Sequence, residues 1–357
     1  MAEALKEVYT HQYIKNLASK VEEQYDAFNT EAFIHEIFNE TWKDMELKMR
    51  MRHIAIILNE YLPLPYKEQL EVLKPASQHF VSFEAMFFQD FVELYGLDNF
   101  EDSMKALEVF TYESSSEFAI RQFILKYEEQ TLHQMKLWAQ NPCEHLRRLA
   151  SEGCRPRLPW AIALNAFKKD PTKVLEIIEL LKNDESTYVQ KSVANNLNDI
   201  SKDNPQVVIE FVKNNLGKHK NLDWICKHGS RTLLKQGDEQ ILKLFGYRQA
   251  SHVKIKEFTH DEVVVNEGEL NFKFTLQSIQ SLGNLRVEYA IYYLKANQTH
   301  NKKMFMLSQN SIKVNEKTFE KKQSFKNMTT RKHYSGKHYI ALYVNGEEMI
   351  KKEFELL

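Results

Sequence analysis

Cysteine is scarce in this chain of 357 residues: there are three, Cys143, Cys154 and Cys226. An odd number at these spacings makes neither a disulfide framework nor a thiolate zinc motif. Glycine is equally sparse, with ten in total and only Gly96 ahead of Gly153. There is accordingly no glycine-rich loop to cradle nucleotide phosphates, and nucleotide hydrolysis has no support. The thirteen histidines are scattered, without an HExxH or Cys/His cluster; this weighs against metal chemistry and predicts a protein with no metal and no cofactor. No apolar run approaches the roughly 20 residues that cross a bilayer. The start MAEALKEVYT lacks a basic end followed by an apolar core, so neither a signal peptide nor a membrane role is expected, and a cytoplasmic setting is.

Charge is plentiful but divided. Residues 1–140 hold 13 Lys+Arg against 24 Asp+Glu, whereas residues 141–357 hold 35 against 25. The overall net charge of −1 therefore conceals an acidic first part and a basic remainder. A basic remainder points to a polyanionic partner; the plainer reading is two solvated surfaces of opposite sign.

Residues 1–250 read as helix, with apolar residues at helical spacing, as in Phe33, Ile34, Ile37 and Phe38. A weak repeat begins at Leu146, Val189 and Trp224, steps of 43 and 35 residues. That period belongs to paired-helix repeats of the HEAT type, stacked as a solenoid. Asp170-Pro171 and Asn204-Pro205 read as helix starts, a cap followed by proline. From residue 251 the pattern changes to alternation with period two, with turn signals at Gly268, Gly283 and Asn345-Gly346. Seven or eight strands in about 105 residues suit an immunoglobulin-like β-sandwich. The expected architecture is a helical HEAT-like repeat domain over 1–250 followed by a sandwich over 251–357.

The stretch HLRRLASEGCRPRLPWA, from His145 to Ala161, carries four arginines and one carboxylate. Its first half reads as a helix in which Arg148 and Glu152 share a face. Gly153 is expected to supply a left-handed stop, and Pro156 and Pro159 forbid continuation. This puts Glu152 at a helix end and Arg155 and Arg157 in an extended, exposed linker. Pro159 then starts a new helix, with Trp160 in its first turn. An ion pair with Arg148 and a core position for Trp160 would be the ordinary reading. Four arginines exceed what one acid needs, however, and the planar guanidinium suits phosphate. Downstream, Lys191 precedes Asn195, Asn196, Asn198 and Asp199, and Lys227, His228, Arg231 and Lys235 follow over about three helical turns. Glu117 lies between a serine run and Arg121, as a site acid or as a first-turn acid favoured by the helix dipole. Arg148, Arg155, Arg157, Lys191, His228 and Arg231 together read as a basic stripe for a nucleic-acid backbone. Between Lys302 and Lys337 ten basic residues, Lys321, Lys322, Lys326, Arg331 and Lys332 among them, face only Glu316 and Glu320.

With EHLRRLASEGCRPRLPWA at 144–161, SSSEFAIRQF at 114–123, VANNLNDISKDNP at 193–205 and HGSRTLLKQGD at 228–238, the chain resembles the AlkC family of bacterial alkylpurine DNA glycosylases. The resemblance implies a HEAT-like domain that holds damaged DNA and an immunoglobulin-like domain that grips the duplex. It implies removal of cationic methylated bases, notably 3-methyladenine and in some cases 3-methylcytosine, without flipping the base into a deep pocket. By motif position, Glu152, Trp160 and Asp199 look like the residues at the lesion, with Glu117 a further acid. The implied partner is double-stranded DNA containing alkylated bases, bound by a monomer with no obligate protein partner. Two other readings stand beside it: a non-catalytic nucleic-acid-binding repeat scaffold, and a protein adaptor that docks through its acidic first part.

Overall fold

A computed structural model describes residues 5–327 and 332–357; Arg331 of the lysine-rich run lies outside the described residues. The chain packs as two compact units, Met1–Val208 with Asn215–Gly229, and Ile209–Asn214 with Ser230–Leu357.

Among its described residues the first unit holds helices and no strand. The three repeat segments fall on the helices Glu144–Gly153, Thr187–Ile200 and Lys220–Gly229, and the middle one packs against both others. Each turns a fully buried apolar stripe inward: Leu146, Leu149 and Ala150; then Val189, Val193, Ala194 and Leu197; then Ile225 and Cys226. The companion helix Thr172–Leu181 packs on the first two through Val174, Ile177 and Ile178. Local chemistry sets where these helices begin. The Asp170 carboxylate accepts the Thr172 N–H at 3.0 Å, the Ser186 hydroxyl accepts that of Tyr188 at 3.2 Å, and Pro205 opens the helix that runs to Asn215.

Two local expectations are overturned. Gly153 is not a left-handed stop: it is the last residue of its helix and does not have positive φ. It is glycine because a Cβ there would lie 2.6 Å from the Ile120 side chain. Nor does Pro159 begin a helix. Residues 155–164 form turns, the next helix is Asn165–Lys169, and Trp160 has φ of +65°.

Among the described residues the second unit holds eight strands: β1 (Lys254–His260), β2 (Val263–Val264), β3 (Glu269–Gln277), β4 (Gly283–Leu294), β5 (His300–Ile312), β6 (Glu316–Ser324), β7 (Gly336–Val344) and β8 (Glu347–Leu356). They form a three-stranded sheet, β1-β3-β6, and a five-stranded sheet, β2-β8-β7-β4-β5. The alternation seen in sequence is the packing: Leu270, Phe272, Phe274 and Leu276 of β3 and Leu285, Val287, Tyr289 and Ile291 of β4 lie in one core. The β7–β8 hairpin turns at Asn345 and Gly346, both with positive φ (49° and 86°), as a two-residue turn of this kind requires. The Asn345 side-chain oxygen accepts the Arg286 N–H at 2.7 Å and ties the turn to β4. The short helices Arg231–Gln236 and Glu239–Leu244 belong to this unit with the strands.

Candidate active site

Three acids and three cations in the first unit form a string of alternating charge. Glu117 follows the serine run, where the Ser115 hydroxyl donates to its carboxylate at 2.7 Å. The Arg148 guanidinium also donates to Glu117 and lies 3.6 Å from Glu152 Oε1. Glu152 sits in the last turn of the Glu144–Gly153 helix. Its Oε1 accepts from Arg155 Nη1 at 2.5 Å, and its Oε2 accepts from the Ser192 hydroxyl at 2.7 Å. Arg155 then reaches Asp199, Nε to Oδ2, at 2.8 Å, and Lys202 donates to Asp199 Oδ1 at 2.9 Å. One guanidinium thus holds two carboxylates that are 47 positions apart in the chain.

The fold explains this convergence. Glu152 and Asp199 occupy the C-terminal ends of two neighbouring repeat helices. The turn after Gly153 folds Arg155 back between those ends. The middle helix presents Tyr188, Ser192 and Asp199 at helical spacing, Tyr188 beneath Arg148 at 5.1 Å from ring centroid to guanidinium. Glu152 and Asp199 are 5% and 1% exposed, so these two acids are withdrawn from solvent and their charges are only weakly screened. Burial pulls the Arg148 pKa down, but the carboxylates of Glu117 and Glu152 outweigh it and leave the value above the ordinary one. Arg155 behaves likewise between Glu152 and Asp199.

The arginines therefore stand differently from the expected phosphate arms. Arg155 is buried, not exposed in a linker, because both its neighbours are acids. Arg147 forks onto Asp184 at 2.6 and 3.2 Å. Arg157 is exposed, as expected, yet forks onto Asp203 at 2.8 and 2.6 Å. Each of the four arginines of the motif has an acidic partner. Lys191 is exposed on the middle helix. His228 stacks on Trp224, ring centroids 4.8 Å apart, near the end of the Lys220–Gly229 helix, whereas Arg231 belongs to the second unit. Trp160, far from being core, is 70% exposed. It stands five residues beyond Arg155 on the same turn-rich segment.

Reading the sequence missed Ser192, Lys202 and Tyr188. The spacing of Tyr188, Ser192 and Asp199 along one helix face was the available signal. No group of three or more His, Cys, Asp or Glu among the described residues is placed to hold a metal, and none of the described helices is long and apolar enough to cross a membrane.

Comparison with known proteins gives this cluster a context. The family model described as DNA alkylation repair enzyme matches residues 108–233, and that of the YhaZ C-terminal Ig-like domain matches residues 254–357. A Pseudomonas fluorescens structure, the alkylpurine DNA glycosylase AlkC bound to DNA containing an abasic site analogue, shares 37% identity at a TM-score of 0.94, covering 99% of this chain and all of that one. The chain belongs to the AlkC family. Its sequence is also 43% identical over 355 residues to the uncharacterised protein YhaZ of Bacillus subtilis strain 168, covering 99% of both. In this AlkC-family chain every member of the charged string, from Glu117 to Lys202, falls inside the span that matches DNA alkylation repair enzymes.

Proposed function

We propose that this protein is a monofunctional DNA glycosylase of base excision repair, acting as a monomer on duplex DNA and hydrolysing the N-glycosidic bond of cationic alkylated bases such as 3-methyladenine, with 3-methylcytosine a further substrate. The observation that carries the reading is the pair of buried carboxylates, Glu152 and Asp199, held on one guanidinium at the ends of adjacent helices.

A base alkylated to a fixed positive charge leaves without protonation, so no general acid is needed. The barrier lies in the sugar, which becomes oxocarbenium-like as the bond lengthens. A carboxylate next to that centre stabilises the cation as it forms, where the low dielectric makes the interaction strong. A second carboxylate orients or deprotonates the attacking water, the division of labour found in sugar hydrolysis. Arg155 fits this scheme as the counter-ion of the resting state. It balances the two acids before DNA arrives, and a developing cation competes with it for the same oxygens. The exposed indole face of Trp160 attracts a cationic base by roughly 0.5–2 kcal/mol. Arg157 can exchange Asp203 for a phosphate at little cost, because an exposed ion pair is worth at most about 1 kcal/mol. The one lysine of the string, Lys202, is held as an ammonium on Asp199, and an ammonium has no lone pair with which to attack the sugar; base release without strand cleavage is expected.

The test is release of 3-methyladenine from methylated duplex DNA by the wild type and by Glu152→Gln. Loss of one transition-state contact of this kind costs about 10²–10³ in rate. Equal rates would remove Glu152 from the mechanism, and absence of release by the wild type would overturn the reading.

A further inference from the structure

Trp160 stands on a segment that has little means of holding itself. Between Arg155 and Leu164 two prolines remove backbone donors, and the hydrogen bonds within it are long, Ala161 N–H to Leu158 at 3.3 Å and Leu164 N–H to Pro156 at 3.2 Å. A bulky residue with φ of +65° is in a backbone region that favours glycine. Its ends are anchored by the ion pairs of Arg155 and Arg157 and by the buried Leu158 and Leu164, and around Trp160 two cations from outside the segment add to the restraint. Arg121 is fully buried and gives all its hydrogen bonds to backbone carbonyls: Nη1 to Gly153 and to Arg155, each at 2.9 Å, and Nε and Nη2 to Ile162 at 2.8 and 2.5 Å. Lys48, exposed and distant in sequence, donates to the Trp160 carbonyl at 2.9 Å while its ammonium rests 4.4 Å from the centroid of the Phe118 ring.

One planar guanidinium therefore pins the start of the segment, where Arg155 turns back to the acids, and its end, two residues past Trp160. Burial pushes the Arg121 pKa down to about 10, so placing this cation away from water is costly. A rigid fork that spans both ends is warranted where the relative position of those ends matters. Glu117, Phe118 and Arg121 lie within five consecutive residues, so the acid string and the clamp share one support.

We propose that Arg121 and Lys48 are positioning residues that fix the Trp160 indole relative to the Glu152–Arg155–Asp199 cluster, Lys48 acting through the Trp160 backbone and not through a phosphate. This rests on the glycosylase reading, in which Trp160 meets the lesion. The alternative role for an exposed lysine, a contact to the DNA backbone, predicts a different kinetic signature.

The experiment uses the full chain and leads with Lys48, whose exposure makes Lys48→Met a folded variant. Single-turnover release of 3-methyladenine from methylated duplex is compared with affinity for a duplex bearing an abasic-site analogue. Lys48→Met is expected to slow release about tenfold, a fraction of the ~10²-fold that misplacement by 1 Å can cost, with affinity changed less than about threefold. Lys48→Arg restores the rate. In a Trp160→Ala background, Lys48→Met has no further effect, because the group being positioned is gone. Weakened affinity at an unchanged single-turnover rate would make Lys48 a phosphate contact and overturn the proposal. So would a full tenfold effect in the Trp160→Ala background.

A second arm needs no catalysis. Trp160 is the most exposed of the four tryptophans, at 70% against 41% for Trp224, with Trp42 and Trp138 buried. Lys48→Met and Arg121→Lys are expected to change acrylamide quenching of tryptophan fluorescence, a change that Trp160→Phe abolishes. Unchanged quenching overturns the clamp. Changed quenching in these variants, alongside a wild type that releases no base, upholds the clamp and sinks the glycosylase reading instead.

Discussion

At the scale of single residues the site is a problem in neutralising acids. Three carboxylates within one small region repel one another, and Arg148, Arg155 and Lys202 offset that repulsion by standing between or beside them. Arg155 matters most because it touches two buried acids at once. Removing one partner of a buried ion pair leaves the other uncompensated, at a cost of about 3–5 kcal/mol. Arg155→Ala is therefore expected to destabilise the protein by at least about 3 kcal/mol in urea denaturation, and a loss below about 1 kcal/mol would show that water takes over the role. The acids were legible in the sequence as candidates because each sits beside cations in an unusual motif. The partner of each cation was not. Arg155 and Asp199 are 44 positions apart, and only the stacking of two helix ends brings them together. Excess arginine read as phosphate-binding capacity, whereas in the folded chain Arg148 and Arg155 are spent on the acids themselves.

At the scale of elements, helix ends set the chemistry. The Glu144–Gly153 helix must end where Glu152 faces Ser192 and Asp199, and Gly153 makes the close approach to Ile120 possible. Gly153→Ala would place a methyl 2.6 Å from the Ile120 side chain and 3.2 Å from that of Met135. Overpacking of this kind costs about 1–3 kcal/mol. The expected outcome is a lowered melting temperature together with slower base release, since the helix end that carries Glu152 must shift. Unchanged stability would mean that Ile120 moves aside freely. Helix periods, proline starts and strand alternation were readable because they are local. The turns at 155–164 were not, because proline reports where a helix cannot continue and not what replaces it. The same limit applies to the sandwich. Strands and the Asn345-Gly346 hairpin are local signals, whereas the parallel pairing of β2 with β8 and the three-plus-five division of the sheets depend on contacts across the unit.

At the scale of the whole molecule, the basic excess of residues 141–357 has to be divided between internal pairs and free surface. In the helical unit the motif arginines are paired with acids, which makes the lysines of the sandwich the next cations to test for phosphate binding. There Lys321 and Lys322 lie exposed on β6, an edge strand of the three-stranded sheet, and Lys326 follows it. Lysine on an edge strand also guards against edge-to-edge aggregation, so the two roles predict different outcomes for one triple variant. Each cation that neutralises a phosphate releases counter-ions, and log affinity falls with log salt by about 0.9 per phosphate contacted. If all three grip DNA, replacing Lys321, Lys322 and Lys326 by Gln flattens that slope by up to about 2.7 and weakens binding to damaged and undamaged duplex alike. Base release at saturating protein keeps its wild-type rate, because the acids are untouched. Salt titration of duplex binding by fluorescence anisotropy measures the slope directly. An unchanged slope with increased light scattering would assign these lysines to keeping the edge soluble and leave the duplex to be held by other cations, Arg157 and Lys191 first among them.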